Sequence, residues 1–275
     1  MLGQTHRGFT LVEIVAVMVV LGIVSLGVSR YIGTGTQIYA DAVARDRLLG
    51  DSRFVVERIN RELRGALPNS VRVSGNSNTG HCIEFVPVVW SSVYFDIPVA
   101  PEPASDTFDI VSWDPVSPDR YFYESQHEVV IYPVTANDVY ISPLHRIGLA
   151  TEPSVSSNVA TLTLEAEHRF ATDSPSARVY IVDTPVSFCV VAGRITRHAN
   201  YGFFAAQPLF PNAGEVVAEH NANTLSNVAG NTFGDPFTVT PATLTRNAAV
   251  VVLLKFAQSG ESITFYNEVH QPNVP

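Results

Sequence analysis

The chain has 275 residues, of which 46% are hydrophobic and 10% aromatic, and its formal net charge is −9. This composition is ample for a sizeable hydrophobic core. Lys255 is the only lysine, and an acidic chain of this kind lacks the basic surface that binding to DNA or RNA requires. We therefore predict no nucleic-acid partner.

The first 32 residues predict a membrane anchor. A short leader containing His6 and Arg7 ends at Gly8, and residues 14–28 then carry no charge. About 20 apolar residues suffice to span roughly 30 Å of hydrocarbon as a helix, so we expect a transmembrane helix over residues 9–32. Because basic residues precede it, the N-terminus is expected in the cytoplasm and the bulk of the chain on the far side of the membrane.

Glu13 interrupts the apolar character of this segment near its beginning. A carboxylate inside the hydrocarbon region costs a few kcal/mol on insertion scales. Two interpretations explain how the chain tolerates this cost. In one interpretation, the carboxylate pairs with a cation. In the other, Glu13 lies at the membrane interface and extends its carboxylate into the lipid headgroups.

The glycine stands before the apolar segment, whereas a secretory signal is cut after it. Cleavage after Gly8 would keep the anchor and make Phe9 the new N-terminus. With its basic leader and following helix, the segment resembles the processing site of type IV prepilins and of the pseudopilins of type II secretion. The residues that carry the resemblance are Gly8-Phe9-Thr10-Leu11-Val12-Glu13.

The resemblance implies a life cycle for the chain. A membrane aspartyl peptidase would remove the leader, residues 1–8, and N-methylate Phe9. The protein would wait in the inner membrane and then enter a filament through its helix. Glu13 would pair with the cationic N-terminal amine of a neighbouring subunit, which makes both charges tolerable and sets the axial register. The implied partners are the prepilin peptidase, the major and other minor pilins, the inner-membrane assembly platform and membrane lipid.

Helical periodicity continues beyond the membrane. Residues 33–67 are predicted as an amphipathic continuation that ends at Pro68, with Gly33 and Gly35 as points where the helix bends or frays. The charged residues between the apolar positions predict a solvated face with helical ion pairs, such as Glu57 with Arg61. The apolar stripe comprises Ile38, Val43, Leu48, Val55, Ile59 and Leu63.

Residues 68–275 are predicted to form a periplasmic, β-rich globular domain. Pro- and Asn-rich segments at 98–119 and 207–248 are predicted as long surface loops, and 258–261 as the turn of a terminal hairpin. One helix followed by strands predicts an α+β fold with a long helix packed on a mostly antiparallel sheet. Strands are expected at 82–86, 129–132, 161–164, 178–182, 187–191, 250–256 and 262–266.

Cys82 and Cys189 are the only cysteines, and each falls in a predicted strand. In the oxidising periplasm a disulfide is the natural interpretation, and two buried free thiols are the alternative. No histidine stands at metal-ligand spacing from either cysteine, so a metal site there is not expected.

The sequence offers no catalytic motif. Its histidines form no His-Glu-x-x-His pattern, and a nucleophile elbow and a phosphate-binding glycine loop are both missing. We therefore predict no enzyme, no cofactor and no metal. Weaker candidates are His198 and His220 as site residues in the loops, the strand pair Glu165 and Glu167, which we expect to face solvent, and a calcium site from Asp106 with Asp109 or Asp114 with Asp119.

The globular part is larger than that of a typical major pilin. Large members of this class are usually minor components, such as the J-type minor pseudopilin of type II secretion or the O-type minor prepilin of the mannose-sensitive haemagglutinin (MSHA) pilus. Residues 266–275 are similar to the ending of the MSHA proteins, which favours that assignment. A membrane-anchored enzyme remains an alternative, as does an adhesin that binds sugars through Trp90, Trp113 or Tyr121.

Overall fold

A computed structural model of the chain describes residues 8–114, 117–118, 120–210, 214–241 and 247–271. It contains one long helix, a short second helix and fifteen strands. The elements are α1 (Leu11–Arg64), β1 (Arg72–Asn76), β2 (Gly80–Phe85), β3 (Val88–Val93), β4 (Ser105–Val111), β5 (Glu128–Ile131), α2 (Ala136–Tyr140), β6 (Arg146–Gly148), β7 (Ser154–Ser156), β8 (Val159–His168), β9 (Arg178–Val182), β10 (Val186–Val191), β11 (Arg194–His198), β12 (Glu215–Ala218), β13 (Phe237–Thr240), β14 (Ala248–Gln258) and β15 (Glu261–Gln271).

Helix α1 differs at both ends from the sequence prediction. It begins two residues later than predicted, because Thr10 is its N-cap, and it ends at Arg64 with Gly65 as the C-cap. The Gly65 N–H bonds the carbonyls of Glu62 and Leu63 and closes the last turn. Helical structure runs without a break through Gly33 and Gly35, so the expected fraying does not occur.

The second half of α1 packs against the sheets through a narrow apolar stripe. Leu48, Val55, Val56, Ile59 and Leu63 are buried there, at the three- and four-residue spacings that place side chains on one helix face. The predicted stripe is wrong at its beginning. Ile38 is 64% exposed, and Val43 is only partly buried, because the strands that cover α1 reach no further toward the anchor.

The predicted charged face of α1 is confirmed, but its ion pair is shifted by one residue. Arg58 bonds Glu62 at 3.2 Å, one turn further along the helix, instead of the expected pair of Glu57 with Arg61. Arg58 also contacts Glu215 of β12 at 3.1 Å, and Glu62 contacts Arg197 of β11 at 3.0 Å. These contacts tie the helix to the sheet beside it.

The sheet around α1 is built from two groups of antiparallel strands. Five strands lie in the order β1-β2-β10-β11-β12, and three lie in the order β13-β14-β15. A bridge between Asn221 and Phe256 joins the two groups. Apolar side chains from α1 and from both groups form one continuous hydrophobic cluster. We call this unit the core lobe.

A second lobe is inserted between β2 and β10. Its strands form the sheets β3-β9-β5-β6 and β4-β8-β7. Bridges between Tyr94 and Ile110 and between Leu149 and Leu164 connect these sheets at two places. The strands therefore form a closed ring in the order β3-β9-β5-β6-β8-β4, in which β4 returns to β3. A closed ring leaves few free strand edges. We call residues 88–182 the barrel lobe; its interior is a separate hydrophobic cluster.

The α+β fold with a long helix on mostly antiparallel sheets is confirmed: every pair among the named strands is antiparallel. Each of the seven predicted strands corresponds to a strand of the structure. The turn is also confirmed, since Ser259 and Gly260 between β14 and β15 both have positive φ, as a two-residue hairpin turn requires. The loop predictions are partly wrong: residues 98–119 contain β4, and residues 207–248 contain β12 and β13.

Candidate processing and assembly site

The predicted cleavage point lies in an extended segment just before α1. Gly8, Phe9 and Thr10 precede the helix, and the backbone at Thr10 has φ −83° and ψ 149°. Phe9 is 76% exposed. The peptide bond between Gly8 and Phe9 is therefore outside the helical hydrogen-bond ladder. Residues 1–7 of the leader lie outside the described residues.

Nothing among the described residues requires a glycine at position 8. A Cβ atom placed there would meet no atom within 4 Å, and no positive φ is present. The usual structural reasons for a glycine, namely unusual backbone geometry and close approach, are both missing. A requirement for glycine at this position would have to come from a molecule that binds the segment.

Glu13 occupies the third helical position, one turn after the cap. The Thr10 hydroxyl accepts a hydrogen bond from the Glu13 N–H at 3.3 Å. A threonine followed three residues later by glutamate is the sequence pattern of a capping box, which our sequence analysis missed. An acidic side chain in the first turn is also favoured by the helix dipole. Local helix chemistry thus explains part of the placement of Glu13.

The Glu13 carboxylate has no ion-pair partner among the described residues, and the side chain is exposed. The apolar residues that follow are exposed as well: none of the most apolar 18-residue window of α1 is buried, and its mean hydropathy is 2.7. By length and composition this helix can cross a membrane. Neither the apolar surface nor the carboxylate has a partner in the part of the chain that the structure describes.

Cys82 and Cys189 form a disulfide. They lie directly opposite each other on the neighbouring strands β2 and β10, and both are buried. The two cysteines are separated by 107 positions in sequence, and the intervening segment includes the whole barrel lobe. The bond therefore fixes the two strands at which the inserted lobe leaves and re-enters the core lobe.

A buried polar cluster lies beside the disulfide, on the strands where the barrel lobe joins the core lobe. Glu84 of β2 is fully buried and pairs with Arg72 of β1, whose guanidinium also donates to the carbonyls of Phe204 and Ala205 at 2.8 Å. The Tyr201 hydroxyl donates to Glu84 at 2.8 Å. Burial raises the pKa of Glu84, and the bonds from Arg72 and Tyr201 oppose that rise.

The weaker histidine and glutamate candidates do not assemble into a site. His198 is buried, with Thr196 at 2.9 Å and its ring stacked on Phe210, and burial lowers the pKa of His198. His220 is exposed. Glu165 and Glu167 are exposed, as expected.

The proposed calcium ligands form no metal-binding group of three or more side chains among the described residues. The Thr161 hydroxyl donates to Asp109 at 2.6 Å, and Asp119 lies outside the described residues. Over the parts of the chain that the structure describes, no group of three or more His, Cys, Asp or Glu side chains is arranged to hold a metal ion.

The aromatic residues proposed for sugar stacking lie in the barrel lobe. Trp113 and Tyr121 are buried there, with 9% and 4% of their surfaces exposed. Trp90 packs edge-on against Trp113, and Trp113 against Tyr121, with centroid distances of 5.8 and 5.1 Å. These rings pack with one another, which removes the argument that they form an exposed sugar platform.

The extended segment of residues 8–10 leads directly into an exposed apolar helix, and a globular α+β unit follows. Residues 4–29 match the family model described as the prokaryotic N-terminal methylation motif. This motif marks structural subunits of the type IV pilin and pseudopilin class, and implies processing by a prepilin peptidase and assembly with other pilins. No curated protein and no solved structure matches the chain.

Proposed function

We propose that the chain is a minor pilin-like subunit of a type IV pilus of the MSHA type. Its leader is removed between Gly8 and Phe9, Phe9 is N-methylated, and α1 anchors the subunit in the inner membrane until it enters the pilus. The observation that carries the proposal is the methylation motif on an extended segment that leads directly into an exposed apolar helix.

The barrel lobe supports a minor rather than a major role. A filament shaft repeats one packing arrangement many times, so added bulk has to be accommodated at every repeat. Residues 88–182 add a complete closed unit to the core lobe. A subunit present in few copies, at an end of the filament, avoids this constraint. Its work is then to help begin or finish assembly through contacts with other subunits.

In this proposal Glu13 supplies the assembly contact. After cleavage the new N-terminal amine belongs to Phe9, and the Glu13 carboxylate lies one helical turn into α1 without an ion-pair partner among the described residues of its own chain. Two charges that are each costly in an apolar bundle become tolerable when they pair across subunits. The pair also fixes how far one helix slides along the next.

The second candidate function is a J-type minor pseudopilin of a type II secretion system. The same motif and the same anchor support it, and the similarity of residues 266–275 to MSHA proteins is what favours the pilus. Residues 272–275 lie outside the described part of the chain. Recovery of the protein in sheared surface filaments is expected for the pilus subunit, whereas a block in protein export on deletion of its gene is expected for the pseudopilin.

The decisive experiment is the intact mass of the protein from native membranes, with and without the prepilin peptidase. We expect loss of residues 1–8 and gain of one methyl group only when the peptidase is present. Gly8→Val should abolish cleavage, and Gly22→Ala is the matched control, because a Cβ at either glycine meets no atom within 4 Å. A chain that keeps its leader in the presence of the peptidase would refute the proposal.

A further inference from the structure

The loop of residues 226–236 presents an aromatic side chain to solvent. Phe233 is 97% exposed, and Val228 on the same loop is 61% exposed. A phenylalanine buries about 150–250 Å² when it packs, so Phe233 leaves most of this surface in water. Single exposed apolar residues are common in proteins, and exposure alone therefore decides nothing.

Side chains of the loop that carries Phe233 hold its shape by hydrogen bonds to backbone groups. The Asn231 side chain bridges to Val239 of β13: its amide nitrogen donates to the Val239 carbonyl at 2.6 Å, and its oxygen accepts from the Val239 N–H at 2.7 Å. The Asp235 carboxylate accepts from the Ser226 N–H at 2.7 Å and so closes the two ends of the loop.

The loop is also tied to the hairpin of β1 and β2. The Ser77 N–H donates to the Ser226 carbonyl at 2.7 Å, and the Gly230 N–H donates to the Gly75 carbonyl at 3.0 Å. Beneath the loop, His81 is fully buried with its Nε2 2.9 Å from the Gly230 carbonyl. Phe233 is thus held in an exposed position by a rigid base, and a flexible tip does not account for its exposure.

The sequence around Phe233 is almost free of charge. Within residues 221–241 the only ionisable side chain is that of Asp235, and it is buried. The centre of a protein interface has this character, since it is depleted of charged residues and enriched in aromatic anchors. A membrane surface would instead favour lysine and arginine beside the aromatic ring.

A sugar ligand fits these surroundings less well. Recognition of a sugar needs polar side chains beside the ring, but the Asn231 side chain already bonds the Val239 backbone and Asp235 is buried. The remaining chemistry suits an apolar pocket. A rigid loop also loses little conformational entropy when it docks.

We propose that residues 226–236 form a preformed docking knob that inserts Phe233 into an apolar pocket of a neighbouring pilin-like subunit. This inference rests on the proposed function, which makes such a subunit the neighbour. Phe233 is then the anchor of a contact between globular domains, separate from the helix packing near Glu13. Asn231 is a positioning residue that holds the knob in shape.

The test places a photo-crosslinking amino acid at position 233 of the full-length protein in its native cells. Position 95 is the matched control, since Phe95 is also exposed, at 61%, but lies in the barrel lobe. We expect an adduct between position 233 and another protein with an N-terminal methylation motif, at a yield well above that from position 95. Equal yields at both positions, or adducts with lipid only, would overturn the proposal.

Two substitutions separate docking from folding. Phe233→Ala should leave thermal unfolding unchanged and lower recovery of the protein with its neighbour by roughly 30-fold, as loss of a hot-spot residue does. Asn231→Ala should lower it less, by loosening the loop. A cleaved leader without a preferential adduct at position 233 refutes the knob and leaves the proposed function standing. An uncleaved leader refutes the proposed function, and the knob with it.

Discussion

Removal of the disulfide should be among the most destabilising changes in this chain. The bond between Cys82 and Cys189 closes a loop with a sequence separation of 107. In the chain-entropy model, closing a loop of this length raises the free energy of the unfolded chain by about 4.7 kcal/mol at 25 °C. Most domains are stable by only about 5–15 kcal/mol in total. We expect Cys82→Ala/Cys189→Ala to lose a third or more of the free energy of unfolding.

The assay is urea unfolding of the full-length protein in detergent, with three samples compared. These are the oxidised protein, the same protein reduced with dithiothreitol, and the double alanine variant. The reduced protein and the variant should unfold at similar urea concentrations, far below the oxidised protein. If the reductant has no effect on the oxidised sample, the cysteines are the free thiols of the alternative interpretation, and the entropic argument fails.

Three further substitutions test the ionisable groups of the core lobe by the same urea assay. Glu84→Gln should destabilise the protein by about 3 kcal/mol, because it leaves the guanidinium of Arg72 partly buried without its counter-ion; a loss no larger than that of Glu215→Gln, which removes an exposed partner of Arg58, would contradict this reasoning. Burial lowers the pKa of His198 below its usual 6.5. As the pH falls below 6.5, this group therefore binds fewer protons in the folded protein than in the unfolded chain. Below pH 6.5 this group should therefore lower the free energy of unfolding of the wild type by at most about 1.4 kcal/mol per pH unit. His198→Gln should remove this contribution to the pH dependence of stability. If the pH dependence is unchanged in the variant, His198 is not its source.

The strands that the sequence predicted are rich in β-branched, aromatic or other large apolar residues, as β9 and β14 are. Strand β4 was missed although Phe108 and Ile110 alternate with polar residues and are both buried. Three prolines between residues 98 and 103 favoured a loop there. The strands β12 and β13 have four residues each, which is too short for periodicity to separate them from their surroundings.

The N-terminal methylation motif was recognisable because it is local. Gly8, Phe9 and Glu13 stand within six residues, and so does the Thr10 cap, which the same stretch already encoded. Contacts between distant residues were not predictable in this way. The bond between Arg58 and Glu215 joins positions 157 residues apart, and no local pattern distinguishes Glu215 from other surface acids.

The exposure of Phe233 shows a second limit of prediction from sequence. A phenylalanine is expected in the core on average, and the residues around it are ordinary turn formers. The exposure follows from the tertiary contacts of Gly230 and Asn231 with β-strands on either side of the loop, which the sequence of the loop itself does not specify.

The barrel lobe is inserted without interrupting the sheet on which α1 packs. Strands β2 and β10 pair directly, with Phe85 opposite Val186 where the barrel lobe leaves and re-enters. The core lobe therefore keeps its sheet across the insertion point, and α1 packs on strands that belong to the core lobe alone. Because the disulfide lies on the same two strands, it holds this point closed whatever the barrel lobe contacts. A load on the barrel lobe is thus carried by the paired strands and the disulfide before it reaches α1.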